Sequence, residues 1–278
     1  MIDEVQRLAA IKDHRLRVKA SVELMEQLQA AVIETSRMRK ESIAWLRSNG
    51  LSMAEVAKLM GISRARVAQL KDAGPPAERS FLGTHRLLVA VPRRAGDRDY
   101  VAMEDSAAGQ QLINSGHRLQ LDGDLEYIPA SGAVDLNRAG LVVICGPKSS
   151  PVIAEALGAD PRLSFKTLDD GRWALIDRGR DQTHTSPADD PDEPRPADVA
   201  YLGRLPRPDG QGTFLLIAGV HAAGSMGAAH YLSEHIADLY EEAGAHPFSM
   251  VIGCEYEAGT NRILASHSVT GVLLHGEA

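Results

Sequence analysis

"TFLLIAGVHAAGSMGAAHYLSEHIADLYEEAG", residues 213–244, is the stretch that decides the fold class of this chain. Its first seven residues form a short apolar run typical of a buried strand, and the run ends at Gly219. The residues that follow carry apolar side chains at helical spacing, which predicts an amphipathic helix over 224–244. A strand that is apolar throughout must be covered on both faces of its sheet. This stretch therefore indicates an α/β layer fold with a mixed sheet.

Other segments in the second half of the chain show the same pattern of apolar strands followed by helices. "HRLLVAV" (85–91) and "GLVVICG" (140–146) are predicted strands, and helices are predicted at 104–116 and 150–158. Strands alternating with helices in this way extend the α/β prediction to the whole segment 85–278.

Two stretches between these elements carry turn and loop signals. "LSFKTLDDGRWALIDRG" (163–179) has two β-like runs about an Asp170-Gly171 turn, which predicts a hairpin. "RDQTHTSPADDPDEPRPAD" (180–198) is rich in Pro and Asp and has almost nothing to bury. We therefore predict a mobile acidic loop at 180–198, inside the domain.

Composition limits the classes to which the chain can belong. It has 278 residues, of which 44% are apolar and 24% charged, so it can bury a core and is expected to form two domains. No run of eighteen apolar residues occurs, and the first residues are charged where a signal peptide would need an apolar stretch. We expect a cytoplasmic protein with no membrane segment.

Cysteine and histidine usage gives no sign of a metal centre. Cys145 and Cys254 both lie in apolar strand-like runs, which suits reduced buried thiols better than a disulfide framework or a zinc site. His230 and His235 are five residues apart on a predicted helix, so they point to different sides of it. No metal and no cofactor is expected.

The N-terminal part is predicted to be an all-α domain over residues 1–74. Helical spacing without Pro or Gly runs over about 13–48, as one long helix or two nearly continuous ones, and a short helix is expected at 3–11. The Pro75-Pro76 pair cannot continue a helix and makes a stiff spacer. We therefore predict a linker at 75–84 and a second domain at 85–278.

Charge is distributed unequally between these parts. Residues 1–72 contain 13 Lys and Arg against 9 Asp and Glu, a net charge of +4, whereas the remainder contains 17 against 28, a net charge of −11. A basic N-terminal part on an acidic body favours contact of that part with a polyanion.

"GLSMAEVAKLMGISRARVAQLK", residues 50–71, predicts two short helices joined by a tight turn. Ser52 and Glu55 have the capping-box spacing, Gly61 offers the positive φ that the turn requires, and Ser63 caps the second helix. The apolar residues have the spacing of a helix-turn-helix core, at about 52–71: Met53, Val56, Ala57, Met60, Ile62, Val67 and Leu70.

The phrase "LSMAEVAKLMGISRARVAQL" (51–70) resembles the helix-turn-helix of sigma-70 region 4 and of related small actinobacterial DNA-binding regulators. The resemblance covers about residues 40–72 and implies that five side chains face DNA: Ser63, Arg64, Arg66, Gln69 and Lys71. The residue chemistry independently agrees, because an arginine fork matches guanine or phosphate and a glutamine can pair with adenine. The alternative is that these arginines only solvate the surface of a packing helix. No family is identified for the downstream domain.

The long helix offers a candidate pairing surface for a homodimer. A single helix-turn-helix makes few contacts, so such proteins usually pair to span two half-sites. Five residues could form the seam, or could instead cover the helix-turn-helix itself: Leu24, Leu28, Ala31, Val32 and Thr35.

Two glycine turns predict one ligand pocket in the second domain. Each follows a buried strand and opens a helix, where free backbone N–H groups can hold an anion. The candidate ligand-binding residues are Gly146, Lys148, Ser149 and Ser150 in the first turn, and Gly219, His221, Gly224 and Ser225 in the second. Lysine and serine suit a phosphorylated or nucleotide-like ligand; the alternative is that the glycines merely allow tight turns. Arg204 and Arg207 are possible further anion contacts or solvated surface residues.

Catalysis has weaker support in the sequence. Cys145 with His221 could form a nucleophile and base, with Ser225 or Ser149 as an alternative nucleophile, but no nucleophile-elbow sequence occurs. Four acids could supply a carboxylate for glycosidic cleavage of a nucleotide, although acids in such numbers mostly form solvated faces: Asp99, Glu104, Asp105 and Glu126. No catalytic residue is assigned. Three functions remain open: a DNA-binding transcriptional regulator that senses a ligand, a nucleotide-processing enzyme with an N-terminal tether, and an adaptor that binds RNA polymerase.

Overall fold

A computed structural model describes residues 2–73, 75–83, 86–96 and 99–276. The chain divides into two compact units, Met1–Arg79 and Ser80–Ala278, called here the N-terminal unit and the C-terminal unit. Gly74, Thr84 and His85, which bound the predicted domains and linker, lie outside the described residues, as do Met1, Asp97, Arg98, Glu277 and Ala278.

The N-terminal unit is helical throughout its regular structure. Its helices are α1 (Ile2–Ala10), α2 (His14–Ser48), α3 (Met53–Met60) and α4 (Arg64–Asp72). Asp13 caps α2 by accepting a hydrogen bond from the Arg15 amide at 2.8 Å. The predicted segment 13–48 is therefore one continuous helix of 35 residues rather than two.

Local signals fix the turn between α3 and α4. Ser52 and Glu55 form the predicted capping box, with the Glu55 amide donating to Ser52 Oγ at 3.2 Å and the Ser52 amide to Glu55 Oε2 at 2.7 Å. Gly61 ends α3 with φ +66°, a left-handed conformation that costs glycine little. The inner faces of α2, α3 and α4 share one buried cluster: Ile43, Val56, Ala57, Val67 and Leu70.

The C-terminal unit alternates strands with helices. After the short helix α5 (Arg79–Leu82), which begins at the unit boundary, its helices are α6 (Met103–Arg118), α7 (Pro151–Gly158), α8 (Ala222–Glu234) and α9 (Ile236–Ala243). Its strands are β1 (Arg86–Arg94), β2 (Tyr100–Val101), β3 (Asp122–Ile128), β4 (Leu141–Ile144), β5 (Leu163–Thr167), β6 (Trp173–Asp177), β7 (Gln182–Thr185), β8 (Ala197–Pro206), β9 (Thr213–Gly219), β10 (Phe248–Tyr256), β11 (Ile263–Ser268) and β12 (Leu273–Leu274).

The main sheet is mixed, as predicted. Its strand order is β11-β10-β8-β9-β4-β1, with β2 and β3 both pairing with β1 and β12 with β10. Strands β3, β1, β4 and β9 are parallel, whereas β8, β10 and β11 pair antiparallel to their neighbours. A second, antiparallel sheet consists of β5, β6 and β7 and contains the predicted hairpin.

Both faces of the main sheet are covered. Along β4, Val142 and Ile144 pack into a core with α6, α8 and α9, whereas Leu141 and Val143 pack into a second core with α7, β5 and β6. After β1 and after β9 the chain therefore crosses to one face of the main sheet. After β4, which lies between these two strands, it crosses to the other face. Parallel strands whose connections diverge in this way open a crevice at their carboxyl ends.

Two predictions of local structure are wrong. Segment 180–198, predicted as one mobile loop, contains β7, a short 3-10 helix at Pro187–Asp189 and the first residues of β8. The small number of apolar residues does not exclude a strand in this segment, because backbone hydrogen bonds to β6 hold β7 in place. The predicted helix 224–244 is two helices that meet at His235, whose φ of −115° is not helical.

Candidate ligand cavity and candidate nucleic-acid helix

A cavity of about 480 Å³ lies at the carboxyl ends of β1, β4 and β9. Its wall comprises the end of β1, the turn after β4, the turn after β9 and two aromatic side chains of the small sheet. Because β4 and β9 are parallel neighbours, with Ile144 opposite Ile217, their two glycine turns open at the same place.

The structure brings six of the eight predicted ligand-binding residues to this cavity. They are Gly146, Lys148, Ser149, Gly219, His221 and Ser225. Ser225 Oγ accepts a hydrogen bond from the Gly219 amide at 3.0 Å, which joins the start of α8 to the end of β9.

The other two predicted residues do not line the cavity. Ser150 is buried, donates to the Gly132 carbonyl oxygen at 2.5 Å and caps α7 by accepting from the Ile153 amide at 3.2 Å. The Gly224 amide donates to Asp198 Oδ2 at 2.7 Å. Both residues are occupied in holding helix starts in place.

Asp198 changes what the start of α8 can offer a ligand. Its buried carboxylate accepts hydrogen bonds from the amides of His221 at 3.0 Å and Gly224 at 2.7 Å. Burial raises the pKa of Asp198, and the hydrogen bond from Ser186, the charge of His221 and the amides of Val199 and His221 oppose the shift. We expected free amide groups at both helix starts, and for α8 this expectation is wrong, since a carboxylate already occupies two of them.

An ion pair between a partly exposed arginine and a buried carboxylate in the cavity wall has no counterpart among the predicted ligand residues. Arg94 Nη2 lies 3.1 Å from Asp105 Oδ2, and the Asp105 side chain is only 5% exposed. Burial raises the pKa of Asp105, while Arg94 opposes the shift. Asp105 appeared in the sequence only as one of several surface acids, and Arg94 at the end of β1 was missed.

Two aromatic side chains and a lysine form another part of the cavity wall. Trp173 and Phe165 have ring centroids 6.3 Å apart, and Lys148 Nζ lies 4.6 Å from the Trp173 centroid. Burial lowers the pKa of Lys148, and Asp189 and Asp198 oppose the shift. Sequence reasoning missed both aromatic residues, because hairpin residues become wall residues only when the small sheet packs beside the turns.

Cys145 and His221 do not have the environment of a nucleophile and its base. Burial raises the pKa of the Cys145 thiol to about 12, so the thiol stays protonated at neutral pH. The ring of His221 is directed to Asp189, with Nε2 2.9 Å from Oδ2. In the part of the chain that the structure describes, no group of three or more His, Cys, Asp or Glu side chains could hold a metal ion.

The predicted anion contacts at Arg204 and Arg207 are wrong. Arg204 is buried and donates to the carbonyl oxygens of Phe81 and Gly244, and Arg207 is paired with Asp209. Both guanidinium groups therefore serve the fold of the C-terminal unit.

The N-terminal unit presents the second candidate site on α4. All five side chains predicted to face DNA are exposed, whereas Val67 and Leu70 of the same helix are buried. Arg66 Nη1 donates to Gln69 Oε1 at 3.1 Å, and Ser63 Oγ caps α4 by accepting from the Arg66 amide at 3.2 Å. Within the described ranges, no carboxylate pairs with Arg64, Arg66 or Lys71.

The predicted dimer seam on α2 is exposed in part. Val32 is 66% exposed and Ala31 and Thr35 are exposed, but Leu24 and Leu28 are half-buried. Three further exposed apolar residues of α2 precede Val32 at helical spacing: Val18, Val22 and Met25.

Comparison with known proteins gives no match to this chain, whether with family models, curated proteins or solved structures. Among the helices of the described residues, none combines the length and the apolar character needed to cross a lipid bilayer.

Proposed function

We propose that this protein is a DNA-binding transcriptional regulator whose C-terminal unit senses a small anionic or nucleotide-like ligand. The proposal rests on the exposure of the cationic side chains of α4. Its Arg64, Arg66 and Lys71 side chains reach solvent with no carboxylate partner among the described residues, while its other face is buried. These three cations are therefore available to a polyanion, which pairing with the protein's own carboxylates would have prevented.

The arrangement of α3 and α4 suits a reading helix. The helix-turn-helix places its second helix in the major groove, and the residues at the start of that helix contact base edges. Arg64 and Arg66 lie in the first turn of α4, directly after the Ser63 cap. Arginine donors there can contact phosphates or the O6 and N7 atoms of guanine.

Homodimerisation through α2 is part of the proposal. Val18, Val22, Met25 and Val32 recur at intervals of four, three and seven residues, so they share one side of the helix. All four are exposed. Sedimentation should therefore give twice the 29.9 kDa mass of one chain, and the mass of one chain at micromolar concentration would count against the dimer.

The cavity supports the sensing part of the proposal. It combines a lysine, an aromatic wall and glycine turns that let a ligand approach the backbone. A ligand can change DNA affinity only through different contacts in two states of the protein. Occupancy of the cavity is therefore expected to change the affinity for DNA.

The proposal is tested by fluorescence anisotropy of a labelled mixed-sequence duplex titrated with the full chain at several salt concentrations. Binding should weaken steeply with salt, and the double substitution Arg64→Ala and Arg66→Ala should reduce the slope of log affinity against log salt by about 0.9 per lost phosphate contact. On a selected target duplex, loss of a base-reading arginine should cost about 1–3 kcal/mol.

The matched control is the double substitution Lys12→Ala and Lys19→Ala. It removes two exposed positive charges from the same unit but leaves α4 unchanged. Equal losses in the two double variants would show that net charge, not α4, binds DNA. Binding that survives the α4 substitutions, or no binding at all, would favour the enzyme or adaptor alternatives.

A further inference from the structure

Arg94, at the end of β1, has more hydrogen-bond donors than the protein uses. A guanidinium group carries five N–H donors. In the part of the chain that the structure describes, Arg94 makes one hydrogen bond, from Nη2 to Asp105 Oδ2 at 3.1 Å. Its Nε is buried and has no hydrogen-bond partner. A buried donor without an acceptor is costly, so an oxygen atom supplied from outside the chain would stabilise this group.

Asp105 holds the guanidinium group at the cavity wall. The Asp105 side chain is 5% exposed and the Arg94 side chain 41% exposed, and both residues line the 480 Å³ cavity. The buried carboxylate fixes one side of the guanidinium group and leaves its other donors accessible. Because the fork of an arginine matches the two oxygens of a carboxylate, the end of β1 presents an oriented site for one anionic group.

The charges around the cavity favour a ligand with one negative charge. Arg94 is paired with Asp105, and Lys148 lies in the field of Asp189 and Asp198, which oppose the lowering of its pKa by burial. Both cations of the cavity wall thus have carboxylates nearby. One negative charge on a ligand is stabilised by direct hydrogen bonds from Arg94, whereas a second would have no such donor and would be opposed by the carboxylates.

The helix starts beside the cavity have little to offer a phosphate. A phosphate at such a place is usually held by backbone amides. The amides of His221 and Gly224 donate to Asp198, and the Ile153 amide donates to Ser150 Oγ at 3.2 Å. These amides of α8 and α7 are therefore already in use.

Much of the remaining wall is apolar. A ligand body without polar groups gains free energy when such a wall removes it from water. The residues with apolar or protonated thiol side chains in the wall are Pro92, Cys145, Pro147, Phe165, Trp173 and Val220.

Resting on the proposed sensing function, we propose that the cavity binds a monocarboxylate with an apolar body, with the carboxylate on the Arg94 guanidinium group and the body against Phe165 and Trp173. Asp105 is a positioning residue that orients Arg94 and does not contact the ligand. An amide of the same shape lacks the charge that strengthens the hydrogen bonds from arginine. A phosphonate of the same shape carries a second negative charge.

Isothermal titration of the full chain with three head groups on the same bodies tests this inference. The acids are benzoate, phenylacetate and 3-phenylpropionate, each with its amide and its phosphonate, at a pH above the second pKa of the phosphonates. At least one carboxylate should bind, and the matching amide and phosphonate should each be at least about tenfold weaker. The comparison needs no altered protein.

Arg94→Lys keeps the positive charge but removes the fork. It should weaken the carboxylate by at least about tenfold and leave the amide nearly unchanged. Arg93→Lys is the matched control, because it makes the same change at the neighbouring residue of β1, which is exposed and does not line the cavity. Thermal unfolding of both variants checks that they fold.

Asp105→Asn tests the predicted preference for a single negative charge. It keeps an oxygen acceptor for Arg94 and removes one carboxylate from the wall. The phosphonate should therefore gain at least about tenfold relative to the carboxylate. A folding defect would instead weaken both head groups alike, so the ratio of the two affinities separates the causes.

Three results would overturn the inference while the anisotropy assay still reports on DNA binding. Failure of all three acids to bind would reject the monocarboxylate class. An amide or phosphonate that binds as tightly as its carboxylate would remove the requirement for one negative charge. Equal effects of Arg94→Lys and Arg93→Lys would remove Arg94 from recognition. A carboxylate that binds as predicted but leaves DNA affinity unchanged would support the inference and reject the sensing function.

Discussion

Buried polar residues of the C-terminal unit find partners far away in sequence. Asp160, Tyr201 and Ser249 are all fully buried, and the Tyr201 hydroxyl donates to Asp160 Oδ2 at 2.7 Å. Ser249 also donates to Asp160, and its Oγ lies 2.6 Å from His275 Nε2. The network joins β8 and β10 to residues near the carboxyl end of the described chain.

His275 makes stability depend on pH. Its side chain is 9% exposed, and burial lowers its pKa below 6.5, with Arg162 adding to the shift and Asp160 opposing it. In the unfolded chain the ring binds a proton more readily, so the stability it contributes is fully present above pH 6.5 and is lost as pH falls through its lowered pKa. Urea denaturation between pH 7.5 and 5 should show falling stability, and His275→Gln should flatten that slope.

His184 is expected to leave part of the slope in place, since burial lowers its pKa too. His117→Gln is the control, because that histidine is exposed on α6. An identical slope in the unaltered chain and in H275Q would contradict the assignment.

At the scale of single residues, the sequence predicts hydrogen bonds between residues that lie three or four positions apart. The capping box of Ser52 and Glu55 and the cap at Ser63 could be predicted, because each cap bonds an amide a few positions ahead. The pair of Arg94 and Asp105 could not, because only packing of α6 beside β1 buries the carboxyl group. The Asp198 cap of α8 joins residues more than twenty positions apart and was missed for the same reason.

Among the elements, α8 is packed closely against β8 at its start. A β-carbon on Gly224 would lie 2.6 Å from both Asp198 Oδ2 and the Val199 carbonyl oxygen. Gly224→Ala must therefore displace either the Asp198 cap or the start of α8, and should lower the free energy of unfolding by about 1–3 kcal/mol. Urea denaturation followed by circular dichroism measures this loss.

Gly158 provides the comparison for this substitution. It is the last residue of α7, its φ is not positive, and a β-carbon there would meet nothing within 4 Å. Gly158→Ala should be neutral or stabilising by up to about 1 kcal/mol, through reduced freedom of the unfolded chain. Equal losses at both glycines would mean that packing at Gly224 is not the cause.

Elements with a strong local pattern could be predicted, and those held by distant partners could not. The strand at 213–219 and the hairpin about Asp170-Gly171 needed only apolar runs and a turn signal. Strand β7 has no apolar pattern and exists because β6 supplies its hydrogen bonds. The order of strands in the sheet could not be predicted from the sequence. Strand β8 pairs with β10, and β9 pairs with β4, through contacts between segments that are distant in the chain.

For the whole molecule, Arg204 ties the start of the C-terminal unit to its sheet. The buried guanidinium lies 4.1 Å from the Phe81 ring centroid, donates to the Phe81 carbonyl oxygen at 2.8 Å and contacts Gly244. Burial lowers its pKa to about 10, and it has no carboxylate partner within the described ranges. Residues just before β1 therefore belong to the core of this unit.

A truncation series tests this assignment. A chain that begins at Glu78 keeps α5 and should retain the unfolding transition of the C-terminal unit. A chain that begins at Arg86 loses Phe81 from the core and an acceptor of Arg204, and should be less stable by about 3–5 kcal/mol. Thermal unfolding by circular dichroism compares the two.

Arg204→Met separates the two causes of the loss. In the chain that begins at Arg86 it should recover about 1–3 kcal/mol, since no buried donor is left without its acceptor. In the longer chain it should give no such gain. Equal stability of the two truncated chains would show that α5 lies outside the core.

The order of strands also has a consequence for synthesis of the chain. Strand β9, which lies between β4 and β8, begins only at Thr213, whereas β4 ends at Ile144. At translation speeds of about 5–20 residues per second, the edge of β4 that pairs with β9 stays unpaired for several seconds during synthesis. An unpaired apolar edge is a template for association with other chains. The nascent protein is therefore expected to recruit chaperones until β9 has left the ribosome, and to aggregate more when translation between these strands is slowed.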